Sequence, residues 1–342
     1  MLPIRQGKLR MRQTTAIVAV LLLLVPLLPG AAKGAGPGRG QADDWPSRPV
    51  KLIVPFAAGG TADLLGRVFA QALSASLGQQ LYVENRGGAG GVAASALVAR
   101  AEPDGYTLIV SGVASHVIAP AFGRKPEYDP IRDFTHIAYF GGPPIVWVVH
   151  PSLSVNTLDQ LLTLLRNAPE PIGYGSPGVG TQGHLVAAYL ARHSSLALAH
   201  VAYKGAGPAM FDLIGGHIKL ASVTWTTALP HIEAGAVRAM AVTASRRRPE
   251  FPDLPTFAEL GYPDLVATTW FSLSGPSGLP HTIVERLNGA VLAALDLPEV
   301  RARLDQEGIA VERMDPASVA KFVAEEYARW LPIVRSSAAK PE

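Results

Sequence analysis

The sequence predicts an α/β protein of two lobes, each a sheet flanked by helices, with a hinge between them. Three observations carry that expectation. Short β-rich runs alternate with helical stretches almost to the end of the chain. The apolar run over residues 134–150 is broken at Gly141-Gly142-Pro143-Pro144, which suits a crossing between domains, and residues 269–274 read as the crossing back. The chain has 342 residues, 48% hydrophobic and 17% charged, and no Cys, so it can bury a core without disulfides. The lack of Cys also excludes disulfide scaffolds, structural zinc ribbons, cysteine nucleophiles and lipid-anchored Cys.

Residues 1–42 have the three parts of a secretory signal. Four positive charges precede an apolar run over residues 16–28, and Gly40-Gln41-Ala42 supplies a small-residue cleavage site before Asp43, with Ala32 as the alternative. The apolar run is broken by Pro26 and is shorter than the roughly 20 residues that span a bilayer. The formal net charge of +3 is misleading. Six of the 30 basic residues and none of the 27 acidic residues fall before Asp43, which leaves 24 against 27, a net charge of −3. An exported, soluble, non-lipidated protein that binds no nucleic acid is expected.

In chain order, residues 50–56 read as a buried strand, Gly59-Gly60 as a turn, and Thr61 as the cap of a helix running to Leu77 and ending at Gly78. A strand over 81–84, a glycine turn over 87–91, a helix over 92–100 and a strand over 106–111 follow. Beyond the first crossing the pattern predicts helix 157–167, strand 172–175, helix 181–193, strand 200–203, helix 208–214, strand 218–223, helix 229–235 and strand 237–243. Arg246-Arg247-Arg248 reads as a solvated loop. Helices over 281–295 and 316–334 close the fold. The crossings divide the chain into a lobe one of residues 43–145 and 266–342 and a lobe two of residues 146–265.

Ligands of open α/β sheets sit at the C-terminal ends of strands, so function is read from the strand-to-helix turns. Four turns combine Gly or Ser with a helix N-terminus of little bulk: Phe56 to Asp63, Ser111 to His116, Gly175 to Thr181, and Tyr203 to Pro208. Helix N-termini carry unpaired N–H groups and about half a positive charge, so several aimed at one cleft form a site for a carboxylate or phosphate. Asp63, in the first turn of its helix, has capping as its simpler role. Gly173 to Gly178 fits the G-x-G-x-x-G pattern but lacks the acidic residue about 20 positions on that would hold a ribose. Ser176 is no nucleophile elbow, because Tyr174 stands where glycine is needed. The nine His show neither H-x-x-x-H nor H-E-x-x-H spacing, so no metal or cofactor is expected.

Motifs along nearly the whole chain resemble the Bug proteins, the periplasmic substrate-binding components of tripartite tricarboxylate transporters. They include Trp45-Pro46, Ile53-Val54-Pro55-Phe56 with Gly59-Gly60 and Asp63, Val83-Glu84-Asn85-Arg86, Pro103-Asp104-Gly105-Tyr106-Thr107, Gly180-Thr181 with His184-Leu185, Tyr203-Lys204-Gly205 and Pro252-Asp253-Leu254-Pro255-Thr256. The resemblance implies a two-lobed periplasmic binding protein of the type 2-like kind that closes on a small organic acid. It passes the acid to the large and small integral components of a membrane transporter, as a monomer and without catalysis. Carried onto this sequence, Gly59, Gly60 and Thr61, Ser111 and Ser115, and Ser176, Gly180 and Thr181 would hold the ligand. Phe56, Asp63, His116, Tyr203, Thr224 and Trp225 complete the candidate set.

Two departures stand out: Ala57-Ala58 replaces the usual Pro-Pro, and Ser222-Val223-Thr224 replaces the frequent Phe-Asp-Asn. The second removes a carboxylate that would receive a ligand ammonium, and places Trp225 where it would favour a bulkier or aromatic acid. The alternatives are an exported sensor subunit for a carboxylate, and an exported hydrolase using His116 or His184 with Ser176 or Thr181.

Overall fold

The computed structural model of the protein describes residues 44–122 and 127–336. The expected signal segment and its cleavage site lie outside the described residues.

The chain forms two mixed five-stranded sheets. The first contains β1 (Val50–Val54), β2 (Leu81–Asn85), β3 (Thr107–Gly112), β4 (Phe134–Gly141) and β10 (Phe271–Pro276), in the order β2-β1-β3-β10-β4. The second contains β5 (Ile145–Val149), β6 (Ile172–Ser176), β7 (Leu198–Ala202), β8 (Leu220–Thr224) and β9 (Arg238–Val242), in the order β7-β6-β8-β5-β9. The sheets share one plan. Three parallel strands come first, and the fourth strand, antiparallel to both neighbours, is the one that has just crossed from the other lobe: β10 in lobe one and β5 in lobe two.

Burial on both faces explains why the crossing strands read as continuous apolar runs. In β5, Ile145, Trp147 and Val149 enter the core beneath α4 (Leu158–Arg166) and α5 (Gln182–His193), while Val146 and Val148 enter the core beneath α6 (Ala206–Ile214) and α7 (Trp225–Glu233). In lobe one, α1 (Thr61–Leu77) buries Leu65, Phe69, Leu73 and Leu77, one residue per turn, and ends at Gly78 in the left-handed conformation, φ 70°. Phe69 stacks on Phe140 of β4 at 4.0 Å. α2 (Val92–Ala99), α3 (Ala119–Phe122), α8 (His281–Ala294), α9 (Pro298–Gln306) and α10 (Pro316–Ser336) complete this lobe.

The lobes are joined by two antiparallel crossing segments that bond to each other: Pro144 bridges Thr268, and the Thr269 N–H donates to the Pro143 carbonyl at 2.9 Å. Among the described residues no helix is long and apolar enough to cross a membrane, and no cluster of three His, Asp or Glu could hold a metal.

Several features differ from the sequence expectation: Gly60 and not Thr61 caps α1, and α9 was not expected. The helix expected from Leu229 begins at Trp225, and Pro230 lies inside it. A π-helical turn over Ala114–Ile118 leads into α3 directly after β3, where an ordinary helix start was expected. Arg248 is not solvated: its side chain is 17% exposed and lies over the Trp225 ring at 5.2 Å.

Candidate functional site

Between the lobes lies a small chamber of about 40 Å³, room for about three waters. Lobe one contributes Phe56, Gly60, Thr61, Ala62, Ala114, Thr269 and Phe271; Ile145 closes the hinge end; lobe two contributes Pro177, Thr181, Gln182, Gly183, Ala206 and Thr224. None of these carries a charge. Four helices begin at the chamber, with Gly60 capping α1, Thr181 capping α5, Gly205 capping α6 and Thr224 capping α7. The N–H groups of a first helical turn have no carbonyl partners within the helix, so Thr61, Ala62, Gln182, Gly183 and Ala206 bring such donors to the chamber wall. The field of these helix starts is positive there, with no cationic side chain among the described lining residues.

Direct bonds draw the lobes together around this chamber. Thr61 Oγ1 donates to Thr224 Oγ1 across the cleft at 2.7 Å, and Thr224 Oγ1 lies 2.9 Å from Thr227 Oγ1. The Ala57 N–H donates to the Lys204 carbonyl at 2.8 Å. Gln182 reaches back to the crossing segment, its amide N–H donating to the Thr268 carbonyl at 3.1 Å and its amide oxygen accepting from the Thr269 hydroxyl.

The expected residues fall into two groups. Phe56, Gly60, Thr61, Thr181 and Thr224 line the chamber. The others stand behind it, and most brace the turns.

In lobe one, Gly59 has φ +86°, a left-handed conformation that favours glycine, and its N–H donates to the Asp63 carboxylate at 3.1 Å. Asp63 also accepts from Arg67 and, at 2.9 Å, from Asn85, so its role is to cap and brace the turn rather than to line the chamber. Burial pushes the Asp63 pKa up, but the hydrogen bonds from Arg67, Asn85 and Gly59 outweigh it and hold the carboxyl below its usual range. Ser111 spends its hydroxyl on Ser272 and Ser274 inside the sheet. Ser115 bonds His116 Nδ1 at 3.1 Å, and His116 is fully buried among Tyr128, Phe134 and His136. Neither reaches the chamber, because the π-helical turn rotates both side chains into lobe one.

In lobe two, Ser176 bonds His200, and the Gly180 N–H donates to His184 Nδ1. The Tyr203 hydroxyl donates to Asp212 at 2.7 Å, away from the chamber. Trp225 is 0% exposed, packed in the lobe-two core against Phe251 at 5.0 Å. Its position at the first residue of α7, with its N–H bonded to the Pro144 carbonyl at 2.9 Å, turns the indole inward, so it does not shape the ligand space.

Of the residues not expected, Ala62, Gln182, Gly183 and Ala206 follow from the helix-start argument, and Ala114 and Pro177 lie within the turns singled out in the sequence. Ile145, Thr269 and Phe271 reach the chamber through contacts distant in sequence. A larger groove of about 760 Å³ lies on lobe two, lined by Asn156, Asp159, Arg238 and Phe251 among others, and contains none of the expected residues.

Residues 65–338 match the family described as tripartite tricarboxylate transporter family receptor. The chain belongs to that family. It is 35% identical over 302 residues to protein BugT of Bordetella pertussis (strain Tohama I), covering 88% of this chain and 92% of that one. Two solved structures share the fold: R. palustris Rpa4515 with adipate, 34% identical with a TM-score of 0.82 over 86% of this chain and 98% of that one, and MatC (Rpa3494) from Rhodopseudomonas palustris with bound malate, 34% identical with a TM-score of 0.80 over 85% and 100%. The expected Bug-family membership and the two-lobed binding-protein fold are thereby established.

Proposed function

We infer that this receptor is exported to the periplasm, captures a small organic carboxylate in the interlobe chamber and presents it, as a monomer, to the integral subunits of a tripartite transporter. The observation that carries this reading is the convergence of four helix N-termini on one chamber with no charged side chain among its described lining residues. Such a wall attracts an anion through fixed backbone donors, and closure of the lobes removes the competing water. One N-terminus contributes only ~0.3–2 kcal/mol, so micromolar affinity needs several acting together.

In this reading the first-turn N–H groups of α1 and α5 and the hydroxyls of Thr61 and Thr224 hold the carboxylate, while Phe56, Phe271, Ile145 and Pro177 enclose the carbon chain. This reading places the lobe boundaries near residues 145 and 266, with the membership of the two sheets as its support, and needs no catalytic group or cofactor. The adipate and malate bound by the two Rhodopseudomonas relatives support a carboxylate as the ligand class.

The test is a thermal-unfolding screen of the purified protein, unfolded and refolded to strip carried ligand, against dicarboxylates, hydroxy acids, aromatic acids and acidic amino acids. A ligand at 100 times its Kd adds ~2.7 kcal/mol, a rise of about 4 °C for a chain of this size. A rise with one class of acid supports the reading. No rise with any acid, or equal rises with neutral amides, contradicts it.

A further inference from the structure

The lobe-two turn over residues 176–181 supplies Pro177 and Thr181 to the chamber, yet two histidines that do not line the chamber hold it. The Gly180 N–H donates to His184 Nδ1 at 3.3 Å, and the His184 N–H donates to Thr181 Oγ1 at 3.3 Å. His184 therefore grips the turn by both ring and backbone. On the adjoining strand, His200 Nε2 lies 2.7 Å from Ser176 Oγ, which in turn accepts from the Gly178 N–H at 3.1 Å. The two imidazoles stack at 4.4 Å and 18°, and Tyr174 extends the stack on the far side of His200 at 4.9 Å and 24°. The turn also abuts lobe one: a Cβ on Gly90 would lie 2.5 Å from the Val179 carbonyl oxygen.

We propose that His184, supported by the stacked His200, is a positioning residue that sets the shape of this turn, and that it does so only while its Nδ1 is unprotonated. The proposal rests on the reading of the turn as half of the ligand site.

Nδ1 can accept from Gly180 only as a lone pair, so the ring proton sits on Nε2. A second proton would leave two donors facing each other and release the turn. His200 is less sensitive. If it gains a proton, Ser176 Oγ accepts from it and turns its own hydrogen to the Gly178 carbonyl, 3.3 Å away. Among the described residues, His184 and His200 stack on each other and Tyr174 stacks on His200. Burial holds both imidazoles down to about 4, His200 adding to the effect on His184. Around neutral pH the brace is complete, and acid opens it.

Hydrogen exchange at Gly178 and Gly180, measured from pH 7.5 to pH 5 on the wild type, His184→Asn and His184→Leu, tests this. Asn places an amide oxygen near the position of Nδ1 and cannot be protonated in this range; Leu fills space without an acceptor. The wild type should lose protection about thirty-fold by pH 5, the ratio for a group with a pKa of about 4 in the turn and 6.5 when released. His184→Asn should keep near-wild-type protection with a flat profile, and His184→Leu should be poorly protected throughout. A His184→Asn profile that follows the wild type, or full protection in His184→Leu at pH 7.5, overturns the proposal. Should either variant fail to fold, ¹⁵N imidazole spectra of the wild type decide: a protonated Nδ1 on His184 at pH 7.5 refutes it. None of these readouts needs a ligand, so an acid screen that fails at pH 7.5 would count against the carboxylate reading and not against the brace.

Discussion

Thr224 ties the two lobes at a single hydroxyl, bonded to Thr61 on one side and Thr227 on the other. Replacing it with Val keeps the shape but leaves two buried hydroxyls short of a partner, and each such loss costs about 1–3 kcal/mol. Thr224→Val should therefore weaken binding of the cognate acid by about 10- to 100-fold, read by calorimetric titration, with the folded state of each lobe intact. The sequence placed Thr61 as the cap of α1 and Thr181 at the start of α5, and Thr224 entered as a candidate with the family resemblance; Gly60 and not Thr61 caps α1, while Thr181 caps α5. Sequence reasoning misplaced Trp225 because side-chain direction depends on where α7 begins, which local pattern did not reveal. The Asp63 carboxylate was a case where the plainer role of capping, visible in the sequence, is the one its hydrogen bonds support.

Among the elements, the N-termini of α1 and α6 come into contact as the lobes close. A Cβ on Gly207 would lie 2.4 Å from the Ala58 carbonyl oxygen, so only glycine permits that approach. Gly207→Val should hold the lobes apart. The expected result is a ligand affinity lower by at least about tenfold, a larger radius of gyration in the presence of ligand by small-angle scattering, and a thermal midpoint close to wild type, because the clash lies in the cleft and not in a core. Elements with strong local signals were legible in the sequence: α1 from its apolar spacing and its terminal glycine, α5 from Thr181, and β5 from an unbroken apolar run. α7 was not, because Pro230 normally ends a helix; burial of Trp225 and the bond from its N–H to Pro144 fix the first turn despite it. The side-chain bonds of Gln182 gave no signal either, since its partners Thr268 and Thr269 lie 86 and 87 residues away.

For the whole molecule, acid weakens both lobes. Burial lowers His136 in lobe one and His184 and His200 in lobe two to about 4, and, together with the nearby His136, lowers His116 well below the ordinary value. Each takes up a proton more readily when unfolded than when folded. Stability is therefore fully present above about pH 6.5 and falls as the pH drops from there toward 4, by on the order of 1–3 kcal/mol per group. Urea unfolding at pH 7.5, 6 and 5 should show a midpoint that falls between the last two; an unchanged midpoint would mean that these histidines are protonated in the folded protein.

The central claim is that the acid is held between the lobes by helix N-termini and not by charged side chains. A crystal structure of the refolded protein with the acid that raises the unfolding temperature most tests it directly. A carboxylate accepting hydrogen bonds from first-turn N–H groups of α1 or α5, beside Thr61 and Thr224, is the predicted result. An acid seated in the lobe-two groove beside Arg238 and Phe251, or clasped by any arginine or lysine, would contradict it.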